Sequence, residues 1–390
     1  MLIGLIGKPN AGKSTFFSAS TLVDVAIANY PFTTIEPNKG ITYVRVNCAC
    51  KELKVTCKPN NSKCENGIRL IPIATLDVAG LVPGAHTGKG LGNKFLDDLR
   101  NADALIQVVD VSGTTDEEGK ESTSYDPAKE IVFLENEIVE WTAGIIRRAW
   151  SKVKGGNRES LISLLTGLGI KKEHVEIAIN QSYLTSENIN WSDGDILLFS
   201  KKIREIAKPI IIAANKVDLP KSQENIEKLR KDFPNKIIYP CYAEGELALR
   251  KANEKKLIRY TPGDPDFEVI DKSMAEKQVM ALGFIRNLMK RYGSTGVQEV
   301  INNAVFKQLN LIVVYPVEDE NKYTNNFGAV LPDAHLIQQG STALDLAAKI
   351  HSDLAKHFIF AVDAKNKMRV GKDYKLKNGD VIKIIAGKGE

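Results

Sequence analysis

The residues best suited to chemistry form a glycine-containing loop near the start of the chain. Gly7-Lys-Pro-Asn-Ala-Gly-Lys13-Ser14 follows a short apolar run and precedes a helical pattern. Glycines let backbone N–H groups wrap around phosphates, and the positive end of the following helix stabilises their charge. In this spacing Lys13 is expected to reach the β- and γ-phosphates and Ser14 to reach Mg²⁺. The other residues expected to contact the nucleotide here are Pro9, Asn10, Ala11, Gly12 and Thr15.

Two later motifs indicate which nucleotide binds. Asn215-Lys216-Val217-Asp218 has the N-K-x-D pattern of a guanine site and follows an apolar run. The Asp218 carboxylate can accept hydrogen bonds from N1–H and from the exocyclic amine of guanine, a donor pair that adenine lacks. Asp77-Val-Ala-Gly80 supplies D-x-x-G, in which Asp77 is expected to hold Mg²⁺ through a water and the Gly80 amide to meet the γ-phosphate. We therefore predict GTP or GDP with Mg²⁺ as the ligand.

A parallel sheet is needed to position these motifs. Apolar runs predict strands at 2–6, 41–46, 68–76, 104–109, 209–214 and 236–239, and helices at 195–206 and 223–231. Residues 112–191 contain no convincing strand and predict a helical insertion, with Asp126 as N-cap and Pro127 at the first helical position.

The chain pattern changes again towards its end. A helix is predicted at 275–292, strands at 311–316, 335–337, 357–362 and 380–385, and one helix entered through a capping box of Thr342 and Asp345. The predicted fold class is α/β: a P-loop domain with a helical insertion, followed by a small α+β domain. At 390 residues the chain is too long for one core. The expected segments are the first part of the GTPase domain at 1–111, the insertion at 112–191, the second part at 192–274, a connector at 275–308 and the final domain at 309–390.

Composition excludes several classes of protein. With 43% hydrophobic and 26% charged residues, the chain is neither disordered nor collagen-like. Its apolar runs are strand-sized and no leader pattern precedes them, so we expect a cytoplasmic protein without a membrane partner. The net charge is +5, and residues 355–390 carry nine basic and four acidic residues. This segment suits an anionic partner, although a solvated lysine-rich surface explains it equally well.

Four of the five cysteines are clustered, at Cys48, Cys50, Cys57 and Cys64. Four thiolates can bind Zn²⁺ tetrahedrally, but the paired C-x2-C spacing typical of zinc sites is missing. Free thiols remain an equal alternative, and disulfides are a weaker one because they are uncommon in the cytosol.

Longer sequence stretches resemble a known family. Gly7 to Thr15, Tyr30-Pro-Phe-Thr-Thr34, Asp77 to His86 and Gly88-Lys-Gly-Leu-Gly92 together resemble the Obg-like GTPases, in particular their archaeal YchF-related branch. The resemblance covers essentially the whole chain.

The resemblance implies further roles. Thr34, with Thr33 as the near alternative, matches the switch threonine that binds Mg²⁺, so the catalytic set is Lys13, Thr34 and Gly80. Asn10 matches a ligand of K⁺ in potassium-activated relatives. Leu81 stands where Ras-like proteins keep a catalytic glutamine, and an apolar side chain cannot orient water, so slow hydrolysis is expected.

The chain also departs from the family pattern. YchF proteins lose the guanine-reading aspartate, whereas Asp218 is present here, which favours GTP. The fifth motif is Tyr242-Ala243 rather than Ser-Ala, so only the Ala243 amide remains to bind guanine O6.

The end of the chain resembles a TGS domain, a ubiquitin-like β-grasp module linked to RNA or ribosome recognition. The matching stretches are 331–342 and 374–380. We therefore expect an enzyme that hydrolyses GTP to GDP and phosphate and acts as a switch on ribosomes or structured RNA. A P-loop ATPase, or a nucleotide-gated RNA-binding adaptor with incidental turnover, is the alternative. The basic residues expected to meet RNA are Lys365, Lys367, Arg369, Lys372, Lys375 and Lys377.

Overall fold

The computed structural model describes residues 1–21, 38–78, 80, 84, 99–153, 158–185, 187 and 189–387. These residues divide into two units. The first contains residues 1–21, 38–41 and 74–304, and the second contains residues 42–73 and 305–387. The second unit therefore combines the cysteine-bearing segment with the end of the chain. The five-segment division expected from the sequence stays a prediction.

The first sheet has the strand order β2-β4-β1-β5-β6-β7, with β3 paired to β4. Pairing is parallel from β4 through β1, β5 and β6 to β7. Its strands are β1 (Leu2–Ile6), β2 (Lys39–Asn47), β3 (Lys63–Glu65), β4 (Ile68–Asp77), β5 (Ala104–Asp110), β6 (Ile210–Asn215) and β7 (Ile238–Cys241). Every residue of β5 and β6 is buried, as expected for central strands of a parallel sheet. The predicted α/β sheet is confirmed, and only the three-residue β3 was missed.

The helices described within the first 207 residues are α1 (Lys13–Thr21), α2 (Ala49–Leu53), α3 (Pro127–Arg148), α4 (Trp150–Val153), α5 (Arg158–Thr166), α6 (Lys172–Ser182) and α7 (Asp193–Ala207), the last of which follows the predicted insertion. The Asp126 side chain accepts a hydrogen bond from the Ala128 N–H at 3.1 Å, which confirms the predicted start of α3. Residues of α3 to α7 share one apolar cluster that includes Val175 and Phe199. The helical character expected for 112–191 is confirmed from residue 127 onwards.

The first unit continues with α8 (Ser222–Asp232), α9 (Ala243–Glu254), the strand pair β8 (Ile258–Arg259) and β9 (Glu268–Val269), α10 (Glu276–Tyr292) and α11 (Val297–Asn303). A π-helical turn at Ala304–Gln308 follows. The predicted connector helix is therefore present as α10. In the described residues, every helix is too short or too polar to cross a lipid bilayer.

The last part of the second unit is a five-stranded sheet in the order β11-β10-β14-β12-β13. Its elements are β10 (Leu311–Pro316), β11 (His335–Gln338), α12 (Ala343–Ile350), α13 (Ser352–Lys356), β12 (Phe358–Asp363), β13 (Met368–Val370) and β14 (Val381–Ala386). β10 and β14 pair in parallel and the other pairs are antiparallel. Leu346 and Ala347 of α12 are fully buried. The predicted small β-sheet with a packed helix is confirmed, including the capping box of Thr342 and Asp345, whereas the short elements α13 and β13 were not predicted.

Candidate nucleotide-binding site

The glycine-containing loop joins the end of β1 to the start of α1. Helix α1 begins at Lys13, and the Phe16 N–H donates to the Gly12 carbonyl at 2.9 Å. Gly12 has a φ of +92°, and a Cβ there would lie 2.3 Å from Nδ2 of Asn215. The loop thus ends at a helix N-terminus, whose free N–H groups and dipole suit a phosphate. Only glycine fits this turn, because both the backbone conformation and the close approach of Asn215 exclude a side chain.

The D-x-x-G aspartate meets two loop residues, Lys13, which was predicted to reach the phosphates, and Ser14, which was predicted to reach Mg²⁺. Leu5 and Asp77 are register partners in the parallel β1–β4 ladder, which brings the two carboxyl ends together. Lys13 Nζ forms an ion pair with Asp77 Oδ1, and Ser14 Oγ donates to Asp77 Oδ2 at 3.1 Å. A Cβ on Gly80 would lie 3.3 Å from the backbone nitrogen of Pro9. Ser14 and Asp77 are therefore placed together, as a Mg²⁺ site at the phosphates requires.

The N-K-x-D motif follows β6 at the same edge of the sheet. Asn215 Nδ2 donates to the Ala11 carbonyl at 3.0 Å, and Asn215 Oδ1 accepts from the Ala243 N–H at 3.1 Å. One buried amide therefore connects the phosphate loop, the base motif and the start of α9. The Ala243 N–H, which the sequence assigned to guanine O6, has Asn215 as its partner in this structure.

Asp218 is the predicted guanine reader. Its side chain is half-buried, and burial raises the pKa of the Asp218 carboxyl above its ordinary value, opposed by hydrogen bonding to its own backbone N–H. Like charge from Glu244 raises this pKa further, and Lys216 lowers it. Two N–H donors of a guanine base would stabilise the ionised form in the same way as a backbone N–H does.

A buried charge network behind these motifs was not expected from the sequence. Lys8, inside the phosphate loop, is 1% exposed. Its Nζ lies 2.5 Å from the Thr115 carbonyl and 3.4 Å from Glu130 Oε2, and 4.3 Å from the centroid of the Tyr125 ring. Burial raises the pKa of Glu130 to about 7, against the opposing charge of Lys8. The sequence does show a lysine at an unspecified position of the G-x-x-x-x-G-K-[ST] motif, but it does not indicate the partner of this lysine, which is 122 residues away.

Asp110 continues the network to the base motif. Its Oδ2 accepts from Thr115 Oγ1 at 2.7 Å and pairs with Lys216 Nζ at 2.8 Å, while its backbone N–H donates to Glu130 Oε2 at 3.4 Å. Burial raises the pKa of Asp110, but the hydrogen bond from Lys216 and those from neighbouring hydroxyls outweigh it and lower the pKa overall. Asp110 is therefore an anion that holds Lys216 at the base loop.

Residues 112–125 lie against the phosphate loop. Asn10 Nδ2 donates to the Gly119 carbonyl at 2.9 Å, and a Cβ on Gly119 would lie 2.8 Å from Cβ of Pro9. The sequence assigned this segment to the helical insertion, yet its contacts are with the phosphate loop. An isolated β-bridge between Thr115 and Glu121 closes the turn. The hydrogen bond from Nδ2 to Gly119 thus fixes the orientation of the Asn10 side chain, the candidate K⁺ ligand.

Several predicted residues lie outside the described residues. They are Thr33, Thr34, Leu81 and the stretch 88–92. Their roles stay predictions.

The second unit contains the other candidate sites. The four clustered cysteines have Sγ atoms within 4.8 Å of one another. Of the six basic residues expected to meet RNA, Lys365 instead forms an ion pair with Glu52. The remaining five are exposed: Lys367, Arg369, Lys372, Lys375 and Lys377.

Three family profiles match separate parts of the chain. Residues 2–137 match the 50S ribosome-binding GTPase family, residues 213–319 match the Obg-like GTPase YGR210-like, G4 motif-containing domain, and residues 328–386 match the TGS domain. The predicted order of a GTPase domain followed by a TGS domain is confirmed.

Similar proteins cover most or nearly all of the chain. GTP-binding protein MJ1332 of Methanocaldococcus jannaschii is 51% identical, with 99% of each chain covered. GTP-binding protein C428.15 of Schizosaccharomyces pombe is 39% identical over 88% of each chain. The ribosome-binding ATPase YchF of Mycoplasma genitalium is 30% identical over 97% of each chain.

A solved structure gives the same result. The crystal structure of a GTP-binding protein from Pyrococcus horikoshii has a TM-score of 0.80 and 40% identity, and covers 99% of this chain and 100% of that chain. With the P-loop, D-x-x-G and N-K-x-D motifs assembled at one sheet edge and a TGS domain at the end, the chain belongs to the Obg-like, YchF-type family of GTP-binding proteins.

Proposed function

We propose that this protein binds GTP in preference to ATP and hydrolyses it to GDP and phosphate. The observation that carries this proposal is Asn215, whose amide bonds to Ala11 and Ala243 and so sets the base motif beside the phosphate loop. Asp218 lies in the same motif, half-buried and three residues further on. A carboxylate at this place pairs with two guanine donors, and adenine offers no such pair.

Mg²⁺ belongs to this proposal. The hydroxyl of Ser14 and the carboxylate of Asp77 fit it, because both are hard oxygen donors and lie within 3.1 Å of each other. Mg²⁺ would neutralise charge on the β- and γ-phosphates during transfer to water. Lys13, now paired with Asp77, can turn to the phosphates because its ammonium is on a flexible stem. Thr34 and Gly80 complete the proposed catalytic set.

Hydrolysis is proposed to be slow and faster in K⁺ than in Na⁺. Leu81 has no group to orient water, and Asn10 stands where a monovalent cation ligand is expected. The Nδ2 contact with Gly119 leaves Oδ1 of Asn10 as the candidate ligand atom. A cation beside the phosphates would stabilise the charge that develops in the transition state.

The partner is proposed to be the ribosome or structured RNA, reached through the TGS domain. Five exposed basic residues of that domain support this proposal. Each phosphate that they neutralise would release counterions, which favours binding to RNA. A relative named as a ribosome-binding ATPase, 30% identical along the chain, has a partner of the same kind.

ATP hydrolysis is the second candidate, because that same relative is named an ATPase. Competition titration of GTP, ATP and XTP against a labelled GDP analogue separates the two. We expect GTP to compete far better than ATP. In Asp218→Asn, the binding free energy of GTP should weaken by about 1–3 kcal/mol, the cost of leaving buried polar groups mispaired, and XTP should bind more tightly than it does to the wild type.

A matched control is Asp232→Asn, an exposed aspartate at the end of α8. It should leave all three nucleotides unchanged. Equal competition by ATP and GTP in the wild-type protein would refute guanine selectivity and favour the ATPase alternative.

A further inference from the structure

Four cysteines from separate short elements converge in the second unit. Cys48 is the N-cap of α2, Cys50 lies in α2, Cys57 lies in the loop that follows, and Cys64 lies in β3. The Sγ atoms of Cys48 and Cys57 are 4.0 Å apart, those of Cys50 and Cys64 are 3.9 Å apart, and all four lie within 4.8 Å of one another.

This spacing fits a metal better than it fits disulfides. Zn–S bonds of about 2.3 Å in a tetrahedron place sulfur atoms about 3.8 Å apart. A disulfide requires about 2.05 Å. The observed pairs at 3.9 and 4.0 Å are therefore close to the edges of a ZnS₄ tetrahedron.

The elements that carry the cysteines are too short to be stable alone. Helix α2 has five residues and β3 has three. Between residues 48 and 65, the buried apolar residues among those described are Ala49 and two of the cysteines, Cys48 and Cys50. An isolated helix of this length does not form in water, and the three-residue β3 adds little core of its own to the β4 strand with which it pairs. Metal–thiolate bonds supply the missing folding free energy in such elements.

A buried cation is placed to offset the charge of a metal–thiolate centre. Zn²⁺ with four thiolates has a net charge of about −2. Arg69 is 0% exposed and is the register partner of Cys64, so the two side chains leave the same face of the β3–β4 ladder. Its Nη2 donates to the Leu331 carbonyl, while Nε and Nη1 have no hydrogen-bond partner among the described residues. A buried guanidinium with two spare donors is costly unless an anionic group lies nearby.

The loop between Cys57 and Cys64 bonds to the C-terminal module. The Lys58 N–H donates to the Val330 carbonyl at 2.8 Å, and the Asn60 N–H donates to the Pro332 carbonyl at 2.6 Å. Asn61 exchanges two hydrogen bonds with the Ala334 backbone, at 3.1 and 3.0 Å. Cys57 and Cys64 therefore bracket the residues that make this contact.

We propose that Cys48, Cys50, Cys57 and Cys64 bind one structural Zn²⁺, and that this ion holds residues 58–61 against residues 330–334 of the TGS-containing module. Fixing both ends of the loop restricts its conformations, so less entropy is lost when its N–H groups bond to the module. The ion has four protein ligands and therefore acts in structure rather than in catalysis.

The first test is metal content. Full-length protein, purified without added zinc and without a metal-affinity column, is analysed by plasma mass spectrometry. We expect about one zinc per chain in the wild type, and a loss of most of it in Cys57→Ser and in Cys64→Ser. Cys241→Ser, at the buried fifth cysteine, is the matched control and should keep its zinc. Cobalt substitution should give the strong visible bands of a tetrahedral thiolate site.

The second test measures the loop contact. Hydrogen exchange is compared between wild type and Cys64→Ser at the Lys58 and Asn60 amides, with amides of β5 as the internal reference. We expect exchange at least about tenfold faster at the two loop amides, because a tenfold change corresponds to 1.4 kcal/mol of local stability. The β5 amides should not change.

Specific results would overturn the proposal. Zinc near zero, with four rapidly reacting thiols in the native protein, means that the cluster holds no metal. Iron in place of zinc refutes the identity of the ion. Zinc at full occupancy in the wild type, lost in Cys64→Ser without any change in the exchange of the Lys58 and Asn60 amides, refutes its role in holding the loop. Circular dichroism of each variant shows whether the chain is still folded. If Cys64→Ser is not folded, the exchange measurement is made on Cys57→Ser, at the cysteine in the loop after α2.

Discussion

Replacing Asn215 should weaken the fold and the nucleotide site together. Asn215 is 4% exposed, and its side chain makes two buried hydrogen bonds, to the Ala11 carbonyl and from the Ala243 N–H. Ala11 and Ala243 are both 0% exposed, so water does not readily replace the lost partner. In Asn215→Ala, each unsatisfied group costs about 1–3 kcal/mol, and two of them cost about 2–6 kcal/mol of unfolding free energy.

The isosteric change Asn215→Asp should be worse than the truncation. Aspartate still accepts from the Ala243 N–H, but its second oxygen faces the Ala11 carbonyl at about the 3.0 Å that now separates donor and acceptor. A buried carboxylate without a partner adds a desolvation cost of several kcal/mol. We expect little stable protein and GDP binding too weak to measure.

The assay can follow the first unit alone. The three tryptophans, Trp141, Trp150 and Trp191, all lie in that unit, so their fluorescence during urea unfolding reports on it. Titration with a fluorescent GDP analogue gives the affinity, which should fall at least about tenfold in Asn215→Ala. A tenfold loss requires only that ordering a phosphate loop that has lost its hydrogen bond to Asn215 costs about 1.4 kcal/mol.

The matched control is Asn225→Ala. Asn225 also donates its amide to a backbone carbonyl, that of Val111 at 2.8 Å, but it is only part-buried and this hydrogen bond does not involve the phosphate loop. Its loss should cost about 1 kcal/mol and leave GDP affinity unchanged. If Asn215→Ala matched Asn225→Ala in both measurements, the central role of this amide would be refuted.

Three further outcomes are expected. Burial raises the pKa of Glu130 from 4.5 to about 7, so the folded state binds the proton more tightly than the unfolded state, and the free energy of unfolding should fall by roughly 3 kcal/mol at most as pH rises from about 4.5 to 7. In urea unfolding between about pH 5 and 8, the free energy of unfolding of Glu130→Gln should therefore depend less on pH than that of the wild type, and parallel pH dependences would contradict the raised pKa. GTP hydrolysis should require Mg²⁺, proceed at about 10⁻⁴ to 10⁻² s⁻¹ without a partner and be faster in K⁺ than in Na⁺. Leu81→Ala should hydrolyse GTP at the wild-type rate, and abolished hydrolysis with intact GDP binding would show that this side chain does act in catalysis. Replacing Arg369, Lys372 and Lys377 with Ala should reduce the slope of log K for RNA binding against log salt concentration by about two to three units without changing GTP affinity, and an unchanged slope would place the RNA contact elsewhere. Equal RNA affinity in the GTP-analogue and GDP states would refute the switch function.

The amino-acid sequence alone determined the features that depend on neighbours along the chain. The P-loop was readable because a strand end, a glycine-containing turn and a helix start lie within a few residues of one another, and the D-x-x-G and N-K-x-D motifs were readable because each begins at the end of an apolar strand. Asp126 and Thr342 were recognised as helix caps because a cap bonds to an amide two or three positions later. Strands β1 and β5 followed from short apolar runs, interrupted by Gly4 in β1 and by Gln107 in β5. The three-residue strands β3 and β13 were missed since so few residues carry no periodic pattern.

Tertiary structure decided the contacts between distant segments. Lys8 and Glu130 are 122 positions apart, and nothing local to either residue indicates the other as its partner. The same applies to Lys365, which lies in a lysine-rich segment and was expected to contact RNA, but forms an ion pair with Glu52. The cysteines show both contributions: their clustering is visible in the sequence, but the sulfur distances depend on how α2 folds back on β3. Such contacts form because burying a charge or a thiol is favourable only beside a specific partner, and the packing of the whole unit selects that partner.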